Sequence, residues 1–144
     1  MPAHTRFSSD WPNEEWAGYC RAVRAGNLVW ISGSTATEGD KVVSPGDMYG
    51  QSVHILKKIT RFLEQAGAQL DHVVQTRAYL TDFSRLGEFA RAHHEFFGRV
   101  RPVNTTVEIS RLAHPDMLVE IEAMAAIPDE ADEATVTSST RRRS

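Results

Sequence analysis

The residues best suited to chemistry lie on short alternating runs. Val119-Glu120-Ile121-Glu122-Ala123 sets two carboxylates between apolar residues, the pattern of a strand with one polar and one apolar face. Arg77 and Tyr79 alternate with Ala78 and Leu80, and Asn104, Thr106 and Glu108 alternate with Val103, Thr105, Val107 and Ile109. On one sheet these polar side chains are expected to share the face turned away from the helices. Two readings of that face stand open. It is a solvated surface or charged subunit interface in which Arg77 pairs with carboxylates, since buried charge needs a partner. Or it lines a cleft in which Glu120 handles a proton or a water.

Other candidates carry less chemistry. His93 and His94 are adjacent, so a helix aims them apart, and His93 falls on an apolar stripe as a packed core histidine. No His-Glu-x-x-His pattern occurs. The single cysteine, Cys20, has no local base and reads as an inert thiol; alone it makes neither an internal disulfide nor a Cys-based metal site. Ser32-Gly33-Ser34 after a strand is too short for a phosphate loop and reads as a turn.

The elements that must position these residues are legible from period and turn chemistry. Tyr19–Val23 and Leu28–Ser32 flank Ala25-Gly26-Asn27, a hairpin signal. Residues 34–44 are polar, with Glu38-Gly39-Asp40 as a loop. Ser44 as N-cap, Pro45 at the first helical position and Asp47 near the positive dipole end predict a helix start. Met48, Ser52, Ile55, Ile59, Phe62 and Ala66 continue it at helical spacing, and Gly67 ends it. His72 to Leu80 is a strand. A second helix starts near Asp82 or Ser84, carries Leu86, Phe89, Ala90, His93, Phe96 and Phe97 inward, and stops at Gly98. Pro102 to Ile109 and Leu118 to Ala126 are strands, with a loop over residues 110–116.

The order hairpin, helix, strand, helix, strand, strand defines an α/β (α+β) domain with both helices on one face of a single sheet. Residues 1–16 read as a lead-in, 17–127 as the domain and 128–144 as a disordered tail, acidic, then Ser/Thr-rich, then Arg141-Arg142-Arg143. The opening residues do not read as a secretory signal. No run approaches the ~18 apolar residues that span a bilayer, so no membrane partner is expected. At 144 residues the chain can bury a core without staples. A net charge of −3 argues against nucleic acid as partner, and the lone cysteine points to the cytoplasm.

Several separated stretches resemble one family. Tyr19 through the Gly26-Asn27 turn to Ser32-Gly33 is similar to the amino-terminal hairpin of the RidA (reactive intermediate deaminase, YjgF) family. Glu64-Gln65-Ala66-Gly67-Ala68 with Val73-Val74-Gln75-Thr76 resembles the helix end and strand that follow. Thr81-Asp82-Phe83 and Glu95-Phe96-Phe97 resemble its second helix. Arg101-Pro102, Val107-Glu108-Ile109-Ser110-Arg111-Leu112 and Val119-Glu120-Ile121-Glu122-Ala123 resemble its signature. The match covers residues 17–127.

That resemblance implies a chorismate-mutase-like fold, a homotrimer with small-molecule clefts between subunits, and cofactor-free hydrolysis of reactive enamines and imines such as 2-aminoacrylate to a keto acid and ammonia. It implies a cleft tyrosine at Tyr19, a serine at Ser32 and a water-handling glutamate at Glu120. Three positions depart. The family's carboxylate-binding arginine falls on Asn104, its cysteine on Thr106 and its helix asparagine on Ala90. Asparagine cannot make a bidentate ionic contact. Arg77 could supply the missing cation, with Asn104 and Thr106 as partners, or could instead pair with Glu108, Glu120 or Glu122. A non-catalytic metabolite-binding trimer and an endoribonuclease are the alternative functions, the second opposed by the acidic balance.

Overall fold

The computed structural model describes residues 3–129. The tail expected over 128–144 lies, from residue 130 on, outside the described residues.

A six-stranded sheet forms the body of the fold. Its strands are β1 (Thr5–Phe7), β2 (Ala22–Ala25), β3 (Leu28–Ser34), β6 (Val73–Leu80), β7 (Val103–Glu108) and β8 (Val119–Ala126). Their order across the sheet is β1-β2-β3-β8-β6-β7. A small hairpin, β4 (Thr37–Glu38) and β5 (Lys41–Val42), stands apart. The helices are α1 (Pro12–Ala17), α2 (Met48–Gln65) and α3 (Leu86–Phe97). The lead-in is therefore not without structure: β1 pairs antiparallel with β2 through Thr5↔Arg24 to Phe7↔Ala22. Three residues are too few to show a period, which is why the pattern was silent there.

The last strand in sequence takes a central place. β8 inserts between β3 and β6, antiparallel to both, while β6 and β7 are parallel and joined by α3 as a βαβ unit. Both long helices lie on one face. Ile55, Leu56, Ile59 and Leu63 of α2 and Phe89, Ala92 and Phe97 of α3 meet Val29, Ile31, Ala78, Leu80, Val119 and Ile121, all buried. Alternation along β8 is strict: Val119, Ile121, Ala123 and Ala125 are buried, and the residues between them are half-buried. Glu120 and Glu122 thus point to the open face from the middle of the sheet. Among the described residues no helix is long and apolar enough to cross a membrane.

Two local details differ from the pattern. Helix α2 starts at Met48 with Asp47 as N-cap, its Oδ1 accepting from Gly50 N at 2.8 Å. Ser44 and Gly46 instead take positive φ, 50° and 78°, in a turn before it, so Ser44-Pro45 is a turn and not a cap. At the other end Gly67 does end the helix, at φ 83°, with Ala68 N donating to Leu63 O. Asp82 accepts from Ser84 N at the entry to a single 3₁₀ turn, Phe83–Arg85, that leads into α3.

Candidate active site

The strongest difference between sequence pattern and structure concerns β7. In register with β6, Asn104 lies beside Thr76 and Thr106 beside Ala78. Thr76 and Ala78 are fully buried beneath the helices, so Asn104 and Thr106 face the helix side. Val103 and Val107, expected in the core, are 67% and 41% exposed on the open side. The apolar alternation was read correctly but attached to the wrong face. An edge strand is covered on the side where its apolar residues find a partner, and here that side has none within the chain. Glu108 also leaves the open face: its Oε1 accepts from Phe83 N at 2.9 Å at the start of the 3₁₀ turn.

The predicted polar set therefore divides across the sheet. Ser32, Arg77 and Glu122 line a hollow of about 450 Å³ on the open face, together with Cys20, Trp30 and Gln75. Glu120 shares this face. Asn104 and Thr106 line a separate groove of about 830 Å³ between α3 and β7, with Ala90 and His93. Tyr19 follows the α1 terminus, its N–H donating to Glu14 O, and is 40% exposed; it lines neither.

Arg77 is engaged on the open face. Its Nη1 lies 3.9 Å from Glu122 Oε1, and Gln75, turned with its carbonyl oxygen toward the guanidinium, accepts from Nε and Nη2 at 3.3 and 3.2 Å. Tyr79 donates a short hydrogen bond to the same Glu122 oxygen, which raises the Tyr79 phenol above its usual value. Arg77 is thus a member of an ion pair with Glu122, and the sheet itself separates it from Asn104 and Thr106. Within one chain it cannot substitute for a cation at Asn104.

Glu120 is different. Its carboxylate is half-buried and makes no direct hydrogen bond among the described residues. Burial raises its carboxyl above the ordinary range; Arg21 opposes this and Glu122 adds to it. Beside it, β3 carries a bulge between Ile31 and Ser34. Arg21, which the sequence reading passed over, fastens that bulge: Nη2 donates to Gly33 O at 2.6 Å and Ser34 Oγ at 2.9 Å. It stands immediately before Ala22, the first residue of β2, where no local pattern marks it. Gly33 leaves room for the carboxylate, because a Cβ there would lie 3.0 Å from Glu120 Cδ and Oε2. The nearby atoms end a flexible side chain, so Gly33→Ala is expected to leave the melting temperature nearly unchanged. It should displace the carboxylate, read by NMR as a changed titration of Glu120, beside a thermal melt.

On the helix face the groove floor is a hydrogen-bonded chain. Thr106 Oγ1 donates to Asn104 Oδ1 at 2.8 Å. Asn104 Nδ2 donates to Thr76 Oγ1 at 3.0 Å. The Thr76 hydroxyl also hydrogen-bonds His93 Nε2 at 2.8 Å. Burial lowers the His93 pKa and keeps the ring neutral between Phe89 and Phe97, whose ring centroids lie 5.5 and 4.8 Å away. His93 is packed inward, as its stripe predicted, yet it also anchors this chain. Thr76→Val removes the hub, leaving the half-buried His93 ring nitrogen without its partner and the exposed Asn104 to turn to water. It should cost about 1–3 kcal/mol, seen as a lower denaturant midpoint. No group of three or more His, Cys, Asp or Glu side chains among the described residues could hold a metal.

This fold matches one class of protein. Residues 12–127 match the family model described as endoribonuclease L-PSP. The chain is 32% identical over 108 residues to a RutC family protein of Pyrococcus abyssi, covering 74% of this chain and 84% of that one. It is 32% identical over 112 residues to the 3-aminoacrylate deaminase RutC of Acinetobacter baylyi, covering 77% and 88%. A crystal structure of a YjgF/YER057c/UK114 family member from Mycobacterium tuberculosis superposes with a TM-score of 0.80 at 42% identity, covering 87% of this chain and 100% of that one. The chain belongs to the YjgF/RidA family, as its motifs predicted, and that family includes a deaminase of an enamine acid.

Proposed function

We propose that this protein hydrolyses a reactive enamine or imine, as a cytoplasmic homotrimer whose cleft is shared between neighbouring subunits. The observation that carries the reading is Glu120: a half-buried carboxylate with raised pKa and no hydrogen-bonding partner among the described residues, seated on a glycine. Its neighbour Glu122 is held by Tyr79 and Arg77, whereas the Glu120 carboxylate is available to a water.

Two features support a cleft shared between copies. The apolar side of β7 and Trp30 lie uncovered on the open face. Ser32 and Glu120 lie on that face and the Asn104–Thr106 groove on the other, so one ligand reaches both only if a second copy docks. In that arrangement Glu120 and Ser32 of one subunit face the α3–β7 groove of its neighbour, and Tyr19 closes over the ligand.

The chemistry needs no cofactor. The enamine tautomerises to its imine, and a water held by Glu120 attacks the C=N carbon. Glu120 accepts a water proton as the C–O bond forms, then returns it to nitrogen. The resulting carbinolamine collapses, its C–N bond breaks, and a carbonyl compound and ammonia leave. Because such imines also hydrolyse unaided, positioning supplies most of the effect. The relative that deaminates 3-aminoacrylate supports this reaction class.

A metabolite-binding trimer without turnover is the second reading, favoured by the uncharged Asn104–Thr106 floor. The test generates acidic, neutral and bulky imines in situ with an oxidase and follows trapping of the free imine. Faster loss of at least one imine with the protein present is the expected result; no acceleration across all three kinds would leave the binding reading.

A further inference from the structure

The groove between α3 and β7 has a composition of its own. Its floor is the chain Thr106–Asn104–Thr76–His93, in which every hydrogen bond joins neutral groups. Its walls are apolar and largely aromatic, with Phe83, Leu86, Phe89 and Phe97. Arg101 is the only Lys or Arg among the residues lining it, and it is exposed, three residues before Asn104 on the chain. A guanidinium there is hydrated and screened. It attracts an anion more weakly than a forked cation at Asn104 itself would.

These features select against a small acid. Once a second copy covers Asn104, which is exposed in the single subunit, a carboxylate there would meet no forked cation of its own subunit, and the Arg77 facing it across the cleft is already paired with Glu122; burying an ion without a partner is strongly unfavourable. Asn104 has already directed its Oδ1 to Thr106 and an N–H to Thr76. What the floor still offers is the hydroxyl oxygen of Thr106 and the second amide N–H of Asn104, now held only by the long 3.5 Å contact of Nδ2 with Thr76 O, partners for an uncharged polar group. A groove of about 830 Å³ is also far larger than a three-carbon acid fills, and its aromatic walls reward apolar area.

We propose that this groove takes an uncharged enamine or imine carrying a bulky aromatic or branched apolar substituent, in preference to small anionic enamine acids. The proposal rests on the deaminase reading for where the ligand lies. It concerns charge and size, which can be measured without turnover.

The test compares phenylacetamide with phenylacetate, a pair alike in shape and different in charge, by calorimetric or NMR titration of the intact protein. Phenylacetamide is expected to bind at least about tenfold more tightly, the reverse of what a charge-assisted carboxylate contact would give. Asn104→Arg should invert the order, and Arg101→Ala should leave it unchanged. In parallel, hydrolysis is followed for a neutral arylalkyl imine and for 2-iminopropionate. Phenylacetate binding equally or more tightly to the unaltered protein overturns the proposal, as does binding of neither. Should Asn104→Arg fail to fold, the comparison on the unaltered protein decides alone. The two readings fail separately. The expected binding order with no hydrolysis of either imine sinks deamination and keeps the selectivity, whereas hydrolysis with the acid preferred sinks the selectivity and keeps deamination.

Discussion

Replacing Glu120 by glutamine is expected to leave the fold intact and to lower imine hydrolysis by about a hundredfold or more, the span of a lost general base. Glutamine keeps the volume against Gly33 and cannot accept the proton from water. The same carboxylate sets the pH profile. Only its ionised form works, and burial holds its pKa above the ordinary glutamate value of 4.5. The rate should therefore be full at neutral pH and fall as pH drops through a range above that value, with the acid limb missing from the residual activity of the glutamine variant. Stability should move the other way. A carboxyl whose folded pKa is raised favours the folded state while protonated, and that contribution is lost as pH rises through the folded pKa. Glu120→Gln is thus expected to be more stable than the unaltered protein at neutral pH and indistinguishable from it in acid below the ordinary glutamate range. Activity lost with stability gained is the signature of a group kept for chemistry. Loss of both would instead mark Glu120 as structural.

Val107→Glu should abolish activity by a different route. Val107 pairs with Tyr79 on the open face and is 41% exposed in the single chain. Nothing in the subunit core depends on it, so the monomer should retain its fold. In the trimer we propose, the new carboxylate would be buried without a partner, a strongly unfavourable change. Light scattering after size exclusion should show monomers, and hydrolysis should fall to the uncatalysed background, since Glu120 and the α3–β7 groove no longer meet. A mixing experiment makes the sharing explicit. Glu120→Gln and a groove-blocking Ala90→Trp would each be inactive alone. Denatured and refolded together, they should recover about a quarter of the unaltered activity, because random hybrids of a cyclic trimer regain one intact cleft. No recovery, with trimers present, would mean that each cleft draws on one chain only.

The sequence by itself determined the long helices α2 and α3 and the strands of the main sheet other than β1, because each has enough residues to show a period of 3.6 or 2 and a terminator such as Gly67 or Gly98, whereas β1, α1 and the β4–β5 hairpin are too short to show one. It also determined that Glu120 and Glu122 share a face, since alternation with Val119, Ile121 and Ala123 admits no other arrangement. The family followed from motifs at fixed spacings. Tertiary structure decided what periodicity is blind to. A period of two says that Val103 and Asn104 point oppositely, but not which of them meets the helices. Pairing with Thr76 and Ala78 settled that, and it moved Asn104 and Thr106 to the far side of the sheet from Arg77. The two carboxylates of β8 look alike in sequence, yet one is held by Tyr79 and Arg77 while the other is left free beside Gly33. That difference is made by cross-strand neighbours, by the bulge in β3 and by Arg21, none of which leaves a local trace. Alternation is a property of one strand, whereas the partner of a charge is a property of the strands beside it.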